Sequence, residues 1–71
     1  MYTILGRPNC PFCNNAQEEL DARGVSYTYI DVRDTPWVRT LCIKAGIATV
    51  PQIFAPDGSY IGGWDDLKQK E

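Results

Sequence analysis

Cys10-Pro11-Phe12-Cys13 constrains the fold of this chain more than any other segment, because two thiols three residues apart meet only when the backbone between them coils. The pair follows a short apolar run, Tyr2-Thr3-Ile4-Leu5-Gly6, and precedes a helix-forming segment, Asn14 to Arg23. Cys10 is therefore expected where a strand gives way to a helix N-terminus, with Pro11 in the first turn, where a missing N–H costs nothing. One helical turn brings Cys13 beneath Cys10 at a Cα separation of about 5 Å, which a disulfide spans. The two thiols can then open and close as a redox-active disulfide without large backbone motion.

A length of 71 residues leaves room for a single domain, 1–71, with a modest core. No stretch approaches the roughly 20 apolar residues of a membrane span. The N-terminus shows neither a basic leader nor an apolar signal core, so the expected setting is cytoplasmic. Thiols are kept reduced there, and a Cys-x-x-Cys pair at a strand-helix transition is read as catalytic rather than structural. A formal net charge of −2 without a basic cluster argues against a nucleic-acid partner. The absence of histidine removes Cys-His and Ser-His-Asp catalysis and every zinc site with imidazole ligands.

The remaining punctuation gives the element order. Gly24 follows the first helix as a C′ residue would, and Val25 to Asp31 is β-branched and aromatic enough for a strand. A second helix opens with Thr35 as N-cap and Pro36 at its first position, carries Val38, Leu41, Cys42 and Ala45 on one apolar face, and closes at Gly46. That stripe is expected to face the sheet, with Cys42 as a small core residue and Trp37 as a partly exposed helix-start residue or a cover over the core. Pro51 to Ala55 and Ser59 to Ile61 form a hairpin around Pro56-Asp57-Gly58. Gly62-Gly63 breaks the chain before a brief helix, Asp65 to about Lys70. The fold class is α/β, βαβαββα: a four-stranded mixed sheet flanked by three helices.

Three segments, Gly6 to Cys13, Thr49-Val50-Pro51-Gln52-Ile53-Phe54 and Gly62-Gly63-Trp64-Asp65-Asp66-Leu67, resemble in order the signature segments of dithiol glutaredoxins. The resemblance implies a thioredoxin fold and reduction of disulfides with electrons from glutathione, a co-substrate rather than a tightly bound cofactor. It departs from the family in a shorter last helix and in Phe12, where Tyr is commoner.

The chemistry asks for a thiolate at Cys10, since only the deprotonated sulfur attacks a disulfide. The helix dipole and the orphan N–H groups of Phe12 and Cys13 favour it, and Arg7 adds positive charge three residues upstream. Cys13, one turn inside the helix, is expected to be the less exposed thiol of higher pKa, which expels Cys10 from a mixed disulfide. The resemblance further implies a glutathione site made of Arg7, Phe12, Thr49, Val50, Pro51, Asp65 and Asp66. In it a cis Val50-Pro51 bond turns the Val50 backbone toward Cys10, Arg7 meets the glycine carboxylate, and the Asp65-Asp66 segment holds the γ-glutamyl end. From residue types alone, Arg7 reads equally as a solvated charge, the two acids as complements to a helix dipole, and Trp64 as packing.

The expected partners are glutathione and disulfide-containing or glutathionylated proteins, ribonucleotide reductase among the candidates, with the chain a monomer. One alternative is a dedicated electron donor to ribonucleotide reductase, recharged by thioredoxin reductase through the same thiols. The other is no enzyme but an iron-sulfur or metal-binding module. Three cysteines cannot supply the four thiolates of such a site within one chain, so no metal is assigned.

Overall fold

β1 (Tyr2–Gly6), α1 (Pro11–Ala22), β2 (Tyr27–Asp31), α2 (Pro36–Lys44), β3 (Gln52–Phe54), β4 (Tyr60–Gly62) and α3 (Trp64–Gln69) follow one another in the expected order βαβαββα. The computed structural model describes residues 1–44 and 50–69. Thr49, the α2 end expected at 45–46, Lys70 and the Cys42 side chain lie outside the described residues.

The strands form one sheet in the order β2-β1-β3-β4. β1 runs parallel to β2 and antiparallel to β3, and β4 returns antiparallel to β3, so the sheet is mixed as expected. Its register sets the core. Ile4 lies opposite Ile53 on one side and Tyr29 on the other, and because strand side chains alternate faces, Tyr2, Ile4 and Gly6 share a face. Ile4 and Ile53 bury completely there with Ala16 and Leu20 of α1 and Leu67 of α3. Each large aliphatic in that cluster contributes about 1.5–3 kcal/mol of transfer free energy. Tyr2, Tyr27, Tyr29, Ile61 and Trp64 close its rim.

Local rules explain most boundaries. Gly24 at φ +71° ends α1: its N–H donates to the Asp21 carbonyl while the Val25 N–H donates to Leu20, the paired closure that favours glycine. Val25 is thereby spent on the helix end, and β2 starts at Tyr27, two residues later than the sequence suggests. β4 likewise starts at Tyr60 because Ser59 belongs to the turn. Its N–H and hydroxyl both donate to Asp57 Oδ1, at 2.9 and 2.7 Å.

α2 departs from expectation. Of the two described members of its apolar stripe, Val38 is buried but Leu41 is 57% exposed, and Trp37 and Ile43 are also exposed. Among the described residues α2 makes no extensive contact with any strand or helix. Helical periodicity specifies a face but not the element that covers it, and here only the first turn of that face meets the body of the fold.

Candidate active site

The turn from β1 into α1 places the first cysteine. Asn9, at φ +59°, takes the left-handed conformation that Asn tolerates better than most residues and swings the chain off the sheet. Cys10 then sits at the α1 N-cap with extended backbone angles, Pro11 opens the helix, and Cys10 Sγ accepts the Cys13 backbone N–H at 3.4 Å. A sulfur thus fills the acceptor position that Ser or Asp occupies at ordinary N-caps.

Both thiols are unpaired in this structure. Cys10 keeps 6% of its surface exposed and Cys13 none. Burial and the Cys10 sulfur beside it push the Cys13 thiol up to about 11, although the Arg7 backbone and the Tyr29 hydroxyl pull the other way. Cys13 is thus the more deeply buried of the two, as expected. A thiol so placed is protonated at neutral pH.

The Cys10 thiol points at the Val50 carbonyl, 3.8 Å away. The Val50-Pro51 peptide is cis, as the resemblance implied, and Pro51 is buried. Next to it opens a trough of about 140 Å³ lined by Phe12, Val50, Pro51, Gly63, Trp64, Asp65 and Asp66. Five of the seven residues expected to bind glutathione therefore share one surface beside Cys10. Arg7 is exposed on the loop before Asn9 and does not line the trough, and Thr49 lies outside the described residues.

The far wall is the start of α3. Gly62, at φ +124°, has no room for a side chain, since a Cβ there would lie 2.7 Å from the Asp66 carboxyl carbon. That close approach lets the Asp66 carboxylate accept the Gly63 N–H at 2.9 Å, the return half of a capping box. Asp65 instead pairs with Lys68 at 3.0 Å on the surface, and the Lys68 ammonium lies 5.9 Å from the Trp64 ring. Both acids thus have structural employment, which their spacing allowed, and both still face the trough. Among the described residues no three Cys, Asp or Glu side chains converge as a metal site requires.

The glutaredoxin family model matches residues 1–61, most of the chain and both cysteines. The chain belongs to the glutaredoxin family. It is 40% identical to glutaredoxin 3 of Escherichia coli K12 over 65 residues, covering 90% of this chain and 77% of that protein. It is 36% identical over 67 residues to the hybrid peroxiredoxin hyPrx5 of Haemophilus influenzae, where 94% of this chain spans only 27% of the longer protein. Among solved structures, a buckwheat glutaredoxin-glutathione complex superposes with a TM-score of 0.82 at 26% identity, over 97% of this chain and 66% of that one. The glutaredoxin match makes the fold a thioredoxin fold and the chain a thiol-disulfide oxidoreductase.

Sequence reasoning missed three residues around this glutaredoxin site. Tyr29 reaches from β2 to the loop before the cysteines, its hydroxyl donating to the Arg7 carbonyl at 3.1 Å. Arg23 ties α1 to α3, donating from Nε to Glu19 at 2.6 Å and from its guanidinium to the Leu67 carbonyl at 3.0 Å. Gln52, a buried polar residue on β3, accepts the Tyr60 hydroxyl. Strand alternation put Tyr29 on the same face as Tyr27, but no sequence signal says which side chain across the sheet it meets.

Proposed function

We propose that this glutaredoxin reduces protein disulfides and glutathione mixed disulfides through a Cys10/Cys13 dithiol, with glutathione as the electron donor. The observation that carries the reading is the position of Cys10 Sγ. It caps α1, points at the carbonyl of Val50, which lines the trough, and has a buried, protonated thiol one turn below it. The Cys10 thiolate attacks one sulfur of the target disulfide, and the other departs as a thiolate that takes up a proton. The mixed disulfide is then opened by Cys13, closing the Cys10-Cys13 disulfide, or by a glutathione thiol.

In this reading the trough holds glutathione between Phe12 and the α3 start. The free edge of Val50 pairs with its peptide, Asp65 and Asp66 meet its γ-glutamyl end, and Arg7 and Thr49 complete the site. The buckwheat complex supports that choice of ligand. The expected partners are glutathione and disulfide-bearing proteins, and the chain acts as a monomer.

A coupled assay tests the reading, supplying either glutathione with glutathione reductase or thioredoxin reductase alone as the source of electrons to a disulfide substrate. Turnover with glutathione and little with thioredoxin reductase is expected. The opposite pattern would assign the chain as a donor recharged by thioredoxin reductase.

A further inference from the structure

The Tyr29 side chain crosses from the edge strand β2 over β1 to the back of the dithiol. Its path is open because residue 6 is glycine: a Cβ there would lie 2.8 Å from Tyr29 Cζ and closer still to the hydroxyl oxygen. The hydroxyl donates to the Arg7 carbonyl at 3.1 Å, α1 packs the buried face that begins with Cys13 on this side of β1, and the phenol eases ionisation of the Cys13 thiol. It thus approaches the resolving thiol from the sheet. Cys10 from the start of α1 and Asp31 from β2 are the other ionisable groups facing this pair, and the Arg7 backbone borders it.

We propose that the Tyr29 hydroxyl is the positioning group of the resolving step: it rests on the Arg7 carbonyl while Cys13 is a thiol, and turns its O–H onto Cys13 Sγ as that sulfur becomes a thiolate. A rotation about one C–O bond suffices, and Tyr29 keeps its own proton throughout. Burial holds this phenol up at about 12, so at neutral pH it is always a donor. The inference rests on the dithiol cycle proposed above.

In the step it serves, the Cys13 sulfur attacks Cys10 Sγ of the mixed disulfide as its proton passes to the departing sulfur, since Cys13 itself is closed to solvent. The Cys10–S–S–R bond breaks, the electron pair leaves on R–S⁻, which is protonated, and the Cys10-Cys13 disulfide forms. The dithiol is oxidised by two electrons and the target is reduced by two. A hydroxyl that steadies Cys13 Sγ⁻ acts on this step alone. It does not act on the attack by Cys10, nor on resolution by free glutathione.

The test is Tyr29→Phe, which keeps the ring, beside Tyr27→Phe, which removes a hydroxyl from the same strand face away from the cysteines. Tyr29→Phe is expected to slow insulin disulfide reduction about tenfold, the loss of one hydrogen bond to a charged sulfur, and to change deglutathionylation of a small mixed disulfide less than about twofold. Tyr27→Phe should leave both rates unchanged. A second readout is free of turnover: in a Cys10→Ser background, alkylation of Cys13 against pH should have its midpoint moved up about one pH unit by Tyr29→Phe. An unmoved midpoint, or parallel loss of both activities in a protein that still melts cooperatively, overturns the proposal. If Cys13→Ser with Tyr29 intact still reduces insulin at the unmodified rate, the dithiol reading fails first and the role of Tyr29 falls with it.

Discussion

Arg23 and Leu67, 44 residues apart, are joined by a guanidinium-to-carbonyl hydrogen bond of 3.0 Å that fixes the last helix against the helix carrying both cysteines. α3 has only six residues, too few to hold its own shape in water, so it depends on such anchors and on burial of Leu67. The same Arg23 closes an ion pair with Glu19 on α1 at 2.6 Å. Because the trough wall belongs to α3, this surface bond helps to hold the candidate site together.

Arg23→Ala should destabilise the protein by about 1–2 kcal/mol, the value of a half-buried charged hydrogen bond with its packing. For a chain this short that is a fall in melting temperature of about 4–8 °C per kcal/mol. Thermal unfolding followed by circular dichroism checks it, and an unchanged midpoint would show that α3 docks without the Arg23 anchor.

The two thiols should separate by reaction. Cys10→Ser is expected to abolish all disulfide reduction, whereas Cys13→Ser should keep deglutathionylation and lose most protein disulfide reduction. Parallel assays with a glutathionylated peptide and with insulin decide it. Equal loss of both activities in Cys13→Ser would contradict the assigned roles.

Asp66 is read as both cap and ligand, and two substitutions pull those roles apart. Asp66→Ala removes the acceptor for the Gly63 N–H and should cost about 0.5–2 kcal/mol of stability. Asp66→Asn keeps an acceptor but loses the charge, so it should melt near the unmodified protein yet need more glutathione for half-maximal turnover. Gly62→Ala should be worse than either for stability, because it meets both a φ of +124° and the Asp66 carboxyl. A glutathione dependence unaltered by Asp66→Asn would remove Asp66 from the proposed ligand site.

Alkali should unfold the reduced protein partly through Cys13. In the unfolded chain its thiol ionises near the ordinary value of 9.0, while in the fold it holds its proton to about 11. Between those values the native state binds more protons than the unfolded one, so stability is complete below about 9 and is lost as pH rises to about 11. Two pH units correspond to about 2–3 kcal/mol at most. Tyr29, raised to about 12 chiefly by burial, adds a further loss beginning near the ordinary phenol value of 10.0. Urea titrations of the reduced protein from pH 8 to 11 should show this decline, and Cys13→Ala should flatten its first part. An equal slope in both proteins would mean that burial of Cys13 is not the cause.

The sequence by itself determined the elements whose signals are local. The Cys10-Pro11 start of α1, the Gly24 stop, the Pro56-Asp57-Gly58 turn and the Gly62-Gly63 break act through backbone geometry within a few residues, and they yielded the element order and the mixed sheet. The fall of the two thiols on one helical turn was legible for the same reason. Boundaries slipped where one residue had two possible employments, as when Val25 joined the end of α1 and Ser59 joined the turn.

The tertiary structure decided everything that depends on which surfaces meet. Periodicity marked an apolar face on α2, but only packing showed Val38 buried with Leu41 exposed. Alternation turned Tyr29 inward, but the parallel register of β1 with β2 and the bare backbone at Gly6 carried its hydroxyl to the Arg7 carbonyl. The acids of α3 were visible as a pair, and only the approach of Gly62 made one a cap for Gly63 and left the other to Lys68. Burial and hydrogen bonding at a site are properties of several segments at once, and no single stretch of sequence carries them.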